Sequence, residues 1–180
     1  YHRKALNIGN FSLNMIKHTS EANHKRANII NTTDDNIRVE LGKSTAMGGE
    51  AALSALDRAV RDLKNNDIDV LVTAPINKHN IQSKDFDFPG HTEYLESMCP
   101  GSKAIMLMVS ESMKVGVVTG HIPVSQIAQE ITFDNIMNKL KLLNKTLIED
   151  FGIRKPRIAV FGLNPHAGDN GFLGKEDIEI

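Results

Sequence analysis

Apolar positions in this chain change spacing from one stretch to the next, and each spacing predicts a different element. Ala51, Ala52, Ala55, Leu56, Ala59, Val60 and Leu63 recur at helical spacing across residues 47–66. Alanine on the inward face of that helix allows close packing on a sheet. The next run, Asp69-Val70-Leu71-Val72 before Thr73-Ala74-Pro75, reads as a buried parallel strand with its loop. A short helix is predicted through Glu93-Tyr94-Leu95-Glu96-Ser97-Met98, with Thr92 as its N-cap and Pro100-Gly101 ending it.

Ala104-Ile105-Met106-Leu107-Met108-Val109 and Val115-Gly116-Val117-Val118 flank a short polar connection and predict an antiparallel hairpin, so the sheet would be mixed. Thr132 is placed to cap a long helix with the stripe Ile136, Leu140, Leu143 and Leu147, stopped by Gly152. Arg157-Ile158-Ala159-Val160-Phe161 reads as a further buried strand. The first 45 residues are polar and Asn-rich. There Ile37-Arg38-Val39-Glu40-Leu41 alternates as a half-buried strand does, while segments 11–16 and 27–30 are short apolar pieces without a clear period. Tyr1-His2-Arg3-Lys4-Ala5-Leu6 reads as the tail of a helix and Gly174-Lys175-Glu176-Asp177-Ile178-Glu179-Ile180 as the start of one. The expectation is therefore an internal fragment of a longer chain.

Composition narrows the class. At 180 residues, 41% hydrophobic and 24% charged, the sequence is that of an ordinary globular chain. A formal net charge of −1 carries no nucleic-acid footprint, and the apolar runs are too short to span a bilayer. The lone Cys99 cannot form an internal disulfide and has no basic neighbour to activate it; a reducing cytoplasm is the expected setting.

The candidate chemistry lies in three histidines in turn or strand-end settings. His166 follows the predicted strand 157–161 in Gly162-Leu163-Asn164-Pro165-His166-Ala167-Gly168, and His121 follows another in Thr119-Gly120-His121-Ile122-Pro123. Ligands gather at such edges in open α/β sheets. Neutral imidazole suits a borderline divalent cation, but two ligands are fewer than the three of a catalytic zinc site. Spacing alone leaves metal ligation, structural hydrogen bonding and acid–base or substrate contact all open. His91-Thr92 opens a predicted helix, where N–H groups, a hydroxyl and an imidazole suit a phosphate or carboxylate, though a plain N-cap has the same look. Lys78, at another predicted strand end, reads as a solvated loop lysine. No G-x-G-x-x-G is present, and Gly42-Lys43-Ser44 lacks the first glycine of a P-loop because position 37 is Ile.

Taken together, Thr73-Ala74-Pro75-Ile76-Asn77-Lys78, Phe88-Pro89-Gly90-His91-Thr92-Glu93, Thr119-Gly120-His121-Ile122-Pro123 and residues 162–168 resemble, in the same order, the 4-hydroxythreonine-4-phosphate dehydrogenases of the PdxA family. The resemblance covers nearly the whole chain and is firmest over residues 70–175. It implies an α/β fold: a three-layer α/β/α arrangement with a mixed sheet, in the two-domain architecture of isocitrate and isopropylmalate dehydrogenases. Residues 1–180 would form its central part. It implies an NAD-dependent oxidoreductase of vitamin B6 synthesis that oxidises and decarboxylates 4-phosphooxy-L-threonine, with a divalent metal (Zn, Mg, Mn or Co). It implies a cytoplasmic homodimer with the active site at the interface. Carried over by position, His121 and His166 are metal ligands and His91 and Thr92 hold substrate; the third metal histidine lies outside this sequence. Two other readings stay beside it. One is the same fold acting on threonate or erythronate 4-phosphate or a cyclic diol; the other is a non-catalytic metal- or phosphate-binding module.

Overall fold

The computed structural model describes residues 7–9, 12–34, 37 and 40–180. The expected helix tail over residues 1–6 lies outside them, as do Phe11 and the centre of the expected strand 37–41; Glu40 and Leu41 belong to no strand. The chain divides into two compact units, Tyr1–Ser102 and Lys103–Ile180.

In the first unit, β1 (Asn14–Ile16) pairs in parallel with β2 (Asn28–Ile30). Neither was expected as a strand, because each has only three paired residues and no readable period. Asn28 stabilises the connection: its side chain accepts from Asn14 Nδ2 at 2.9 Å and from the Asn23 N–H at 3.0 Å. Helix α1 (Ala46–Lys64) forms where the spacing predicts, and Thr45 caps it by accepting from the Gly48 N–H at 3.1 Å. Its inward face places Leu56 and Val60 against Ile81, Phe86 and Tyr94, which together are the core. Phe86, Phe88 and Tyr94 form an aromatic trio with ring centroids 5.2–5.5 Å apart.

Gly49 is needed where α1 meets the loop 77–81. A Cβ there would lie 1.8 Å from the Asn80 carbonyl oxygen, and the same loop is held by the Asn80 amide donating to the Thr45 carbonyl at 2.9 Å. Helix α2 (His91–Met98) begins two residues earlier than predicted. Gly90 is its N-cap and makes no side-chain cap bond, so Thr92 stands inside the first turn rather than capping it.

In the second unit, β3 (Leu107–Val109) and β4 (Lys114–Gly116) form the expected antiparallel hairpin. A four-residue helix, α3 (Ile127–Glu130), precedes α4 (Phe133–Glu149). Thr132 caps α4 by accepting from the Asn135 N–H at 3.2 Å, and Gly152 beyond its end has φ 66°, as the stop signal requires. Leu147 of the stripe is buried. Leu143 lies against Gly116, and Lys139 donates to the Ala104 carbonyl at 3.1 Å, so α4 packs along the hairpin. Lys114 lies 4.9 Å above the Phe151 ring. The chain ends in α5 (Glu176–Glu179), the helix expected to start there.

Two expected strands are absent. Residues 69–72 and 157–161 belong to no strand, and Val72 and Phe161 are 88% and 85% exposed. The reason is that a strand is made by its partner. A β-branched run supplies the surface for pairing, but no described segment supplies the opposing N–H and C=O groups to either run.

Phe86 is fully buried at the centre of the first unit. Phe86→Ala is therefore expected to destabilise that unit by about 3–5 kcal/mol, read as a lower midpoint in denaturant unfolding.

Candidate functional site

In the first unit the loop 76–80 and the start of α2 come together. Asn77 organises the loop: its side-chain oxygen accepts from the N–H groups of His79 and Asn80 at 3.0 and 3.2 Å, and its amide donates to Ser44 Oγ at 3.2 Å. This directs Lys78 toward Gly90. A Cβ built on Gly90 would lie 3.9 Å from Lys78 Cε and 3.6 Å from Glu93 Oε2. Lys78 thus stands beside the first turn of α2, which holds the half-buried His91 and the exposed Thr92. Beneath that turn the Tyr94 hydroxyl donates to the Asp57 carboxylate. Burial foremost, and then the Asp57 carboxylate, push the Tyr94 hydroxyl well above its ordinary range, so it is a permanent neutral donor.

In the second unit His121 lies at the apex of a tight turn, closed by the Ile122 N–H donating to the Gly120 carbonyl at 2.9 Å. Its side chain is exposed. His166 belongs to the 3₁₀ segment Pro165–Gly171, and this departs from the simple strand-end loop the sequence suggested. Five consecutive residues there are left-handed: His166, Ala167, Gly168, Asp169 and Asn170 have φ of 55°, 51°, 77°, 45° and 56°. For His166 and Ala167 such a backbone costs roughly 1–2 kcal/mol each.

A clasp from α5 holds the base of this segment. The Asp177 carboxylate accepts from the N–H groups of Leu163 and Asn164 at 2.7 and 3.0 Å and from Asn164 Nδ2 at 3.1 Å. Glu176 accepts from the same amide at 2.8 Å. Inside the loop the Ala167 N–H donates to Asn164 O and the Leu173 N–H to Gly168 O. Gly168 admits no side chain, since a Cβ would lie 2.4 Å from the Gly174 carbonyl oxygen. Reading histidines alone missed this clasp. Its only trace in the sequence is the acidic pair ten residues beyond His166, which resembles ordinary helix-start acid.

The donor chemistry of His121 and His166 suits a borderline divalent cation. Among the described residues, however, no group of three or more His, Cys, Asp or Glu side chains converges to hold one. Two imidazoles are fewer than the three protein ligands of a catalytic zinc site.

The arrangement is that of a helix-start polar cluster in one unit and a strained histidine loop in the other, on an α/β framework. A family model described as "Pyridoxal phosphate biosynthetic protein PdxA" matches residues 1–180. A 4-hydroxythreonine-4-phosphate dehydrogenase of Bacteroides thetaiotaomicron is 50% identical over 182 residues, covering 100% of this chain and 50% of the relative. One from a Sulfurihydrogenibium species is 39% identical over 152 residues, covering 84% of this chain and 47% of its own. The crystal structure of the Klebsiella pneumoniae 4-hydroxythreonine-4-phosphate dehydrogenase aligns with a TM-score of 0.83 at 31% identity, covering 98% of this chain and 54% of that one. The Burkholderia phymatum enzyme aligns with a TM-score of 0.79 at 30% identity, covering 97% and 53%. The fold class is therefore α/β, the fold of these dehydrogenases. The chain belongs to the PdxA family of pyridoxal phosphate biosynthetic proteins, and it spans about half the length of the curated relatives it matches.

The clasp makes the second unit sensitive to acid. Hydrogen bonds, foremost from the Asn164 N–H and then the Leu163 N–H, hold Asp177 below its usual range; its own backbone N–H and then the Asn164 amide do so for Glu176. A lowered folded pKa stabilises above the unfolded value, about 4, and that stabilisation is lost as pH falls through the folded value. Melting curves of wild type and Asn164→Ala should differ most near neutral pH and converge in acid.

Proposed function

We propose that this chain carries part of the active site of an NAD- and divalent-metal-dependent dehydrogenase acting on 4-phosphooxy-L-threonine in vitamin B6 synthesis. The observation that carries the reading is the family match along all 180 residues, with the four motifs in order. The reaction removes a hydride from the carbon bearing the substrate hydroxyl and a proton from its oxygen. The resulting 3-oxo acid loses CO₂ to give 3-amino-2-oxopropyl phosphate. The nicotinamide supplies hydride acceptance and the cation supplies Lewis acidity toward the hydroxyl, chemistry that no side chain offers.

What remains for this chain is binding and orientation. The His91 imidazole and Thr92 hydroxyl, at the positive end of α2, hold the anionic substrate by hydrogen bonds. Lys78 beside them adds a positive charge, or a proton acceptor once deprotonated. His121 and His166, exposed on their turns, offer two of the imidazoles for the cation. In this reading the remaining ligand comes from outside the sequence, the assembly is a homodimer with the active site at its interface, and the setting is the cytoplasm. Among the described residues no helix is long and apolar enough to cross a membrane.

The test is nicotinamide reduction, followed by absorbance, with the intact protein, NAD and 4-phosphooxy-L-threonine. It should require added Zn, Mg, Mn or Co and stop with chelator. His121→Ala and His166→Ala should each lower the rate by at least about 100-fold. Absence of any reduction with every metal supplied would overturn the reading. Faster turnover of the 2-hydroxy analogue, threonate 4-phosphate, would move the assignment to the sugar-acid phosphates.

A further inference from the structure

The backbone around His166 cannot be explained by its own sequence preferences. Five left-handed residues in succession include an Ala and a His, and neither Gly168 within the run nor Gly171 after it removes their cost. Strain of this kind persists only where surrounding contacts over-determine it, and it gathers at functional loops. The described contacts that could do this are few. They are the internal turn bonds of the loop, the close packing of Gly168 on Gly174, and the α5 clasp on Leu163 and Asn164.

The internal bonds travel with the loop wherever it goes; the clasp does not. It ties the entry of the loop, two and three residues before His166, to a carboxylate thirteen residues downstream of Asn164. The amide of Asn164 bridges Glu176 and Asp177 at 2.8 and 3.1 Å, so its side chain is fixed as well as its N–H. A Cβ on Gly174 would meet the Asn164 amide at 2.8 Å and Glu176 Oε2 at 2.5 Å, so the glycine leaves the space in which this bridge forms.

We propose that Asp177, acting through Leu163 and Asn164, is the positioning residue for His166: it holds the left-handed loop and thereby the direction in which that imidazole is presented. Its consequence for metal binding rests on the function proposed above; its consequence for the loop does not.

Two measurements on the intact protein separate these. The first is the imidazole ring resonance of His166 by NMR, identified by its loss in His166→Ala, with His121, which the clasp does not touch, as internal reference. In Asp177→Asn, which keeps the size but turns one acceptor into a donor facing the Asn164 N–H, the His166 resonance should move to the position of a free histidine while His121 stays in place. Asp177→Glu, which keeps the carboxylate, should return it at least part of the way. If Asp177→Asn does not fold, Asn164→Ala deletes only the amide bridges and should shift the same resonance in the same direction. A folded variant that leaves the His166 resonance where wild type has it would overturn the proposal. The second measurement is titration with Co²⁺ alone, in which Asp177→Asn should bind roughly tenfold more weakly than wild type. Wild type that takes up no Co²⁺ counts against the metal reading, and the resonance still decides the role of Asp177.

Discussion

One carboxylate accepting two successive backbone N–H groups sets the shape of the most unusual part of this chain. Asp177 meets the Leu163 and Asn164 N–H groups at 2.7 and 3.0 Å, and Glu176 and the Asn164 amide close the arrangement. Hydrogen bonds to an ionised acceptor are stronger than neutral ones, and two from adjacent residues fix direction as well as distance. That fixed entry lets five residues run left-handed, which free chains of ordinary residues avoid. The placement of His166 follows from the clasp, and the clasp follows from α5 lying close enough for its first acidic residues to reach back.

The first unit solves a similar problem with packing. Its polar cluster depends on a loop that would wander if left to itself. Gly49 lets the loop touch α1, Asn80 anchors to the Thr45 carbonyl, and Ile81 and Phe86 bury themselves against Leu56 and Val60. The aromatic trio then carries Tyr94, and with it the first turn of α2. His91, Thr92 and Lys78 are neighbours because hydrophobic burial fixes the segments on which they sit.

The helices were legible from spacing because a helix satisfies its hydrogen bonds within itself. Thr45 and Thr132 cap helices whose apolar stripes can be read residue by residue, and Gly152 ends one with the positive φ that its identity suggests. The hairpin was legible too, since its two strands are a short turn apart. Residues 69–72 and 157–161 were misread for the opposite reason. Their apolar runs have strand composition, but pairing depends on a distant segment, and no described segment pairs with them. Conversely, β1 and β2 form from runs too short to show a period.

By itself the sequence determined the family, through four motifs in fixed order, together with the helices and the identity of the histidines. Those are properties of local composition and order, which a linear reading preserves. The tertiary structure alone decided that Lys78 stands beside α2, that residues 166–170 are left-handed, and that an unremarked acidic residue governs them. Contacts between residues far apart in the chain have no signature in the spacing of either partner, because the energy belongs to the pair and exists only after the backbone has folded.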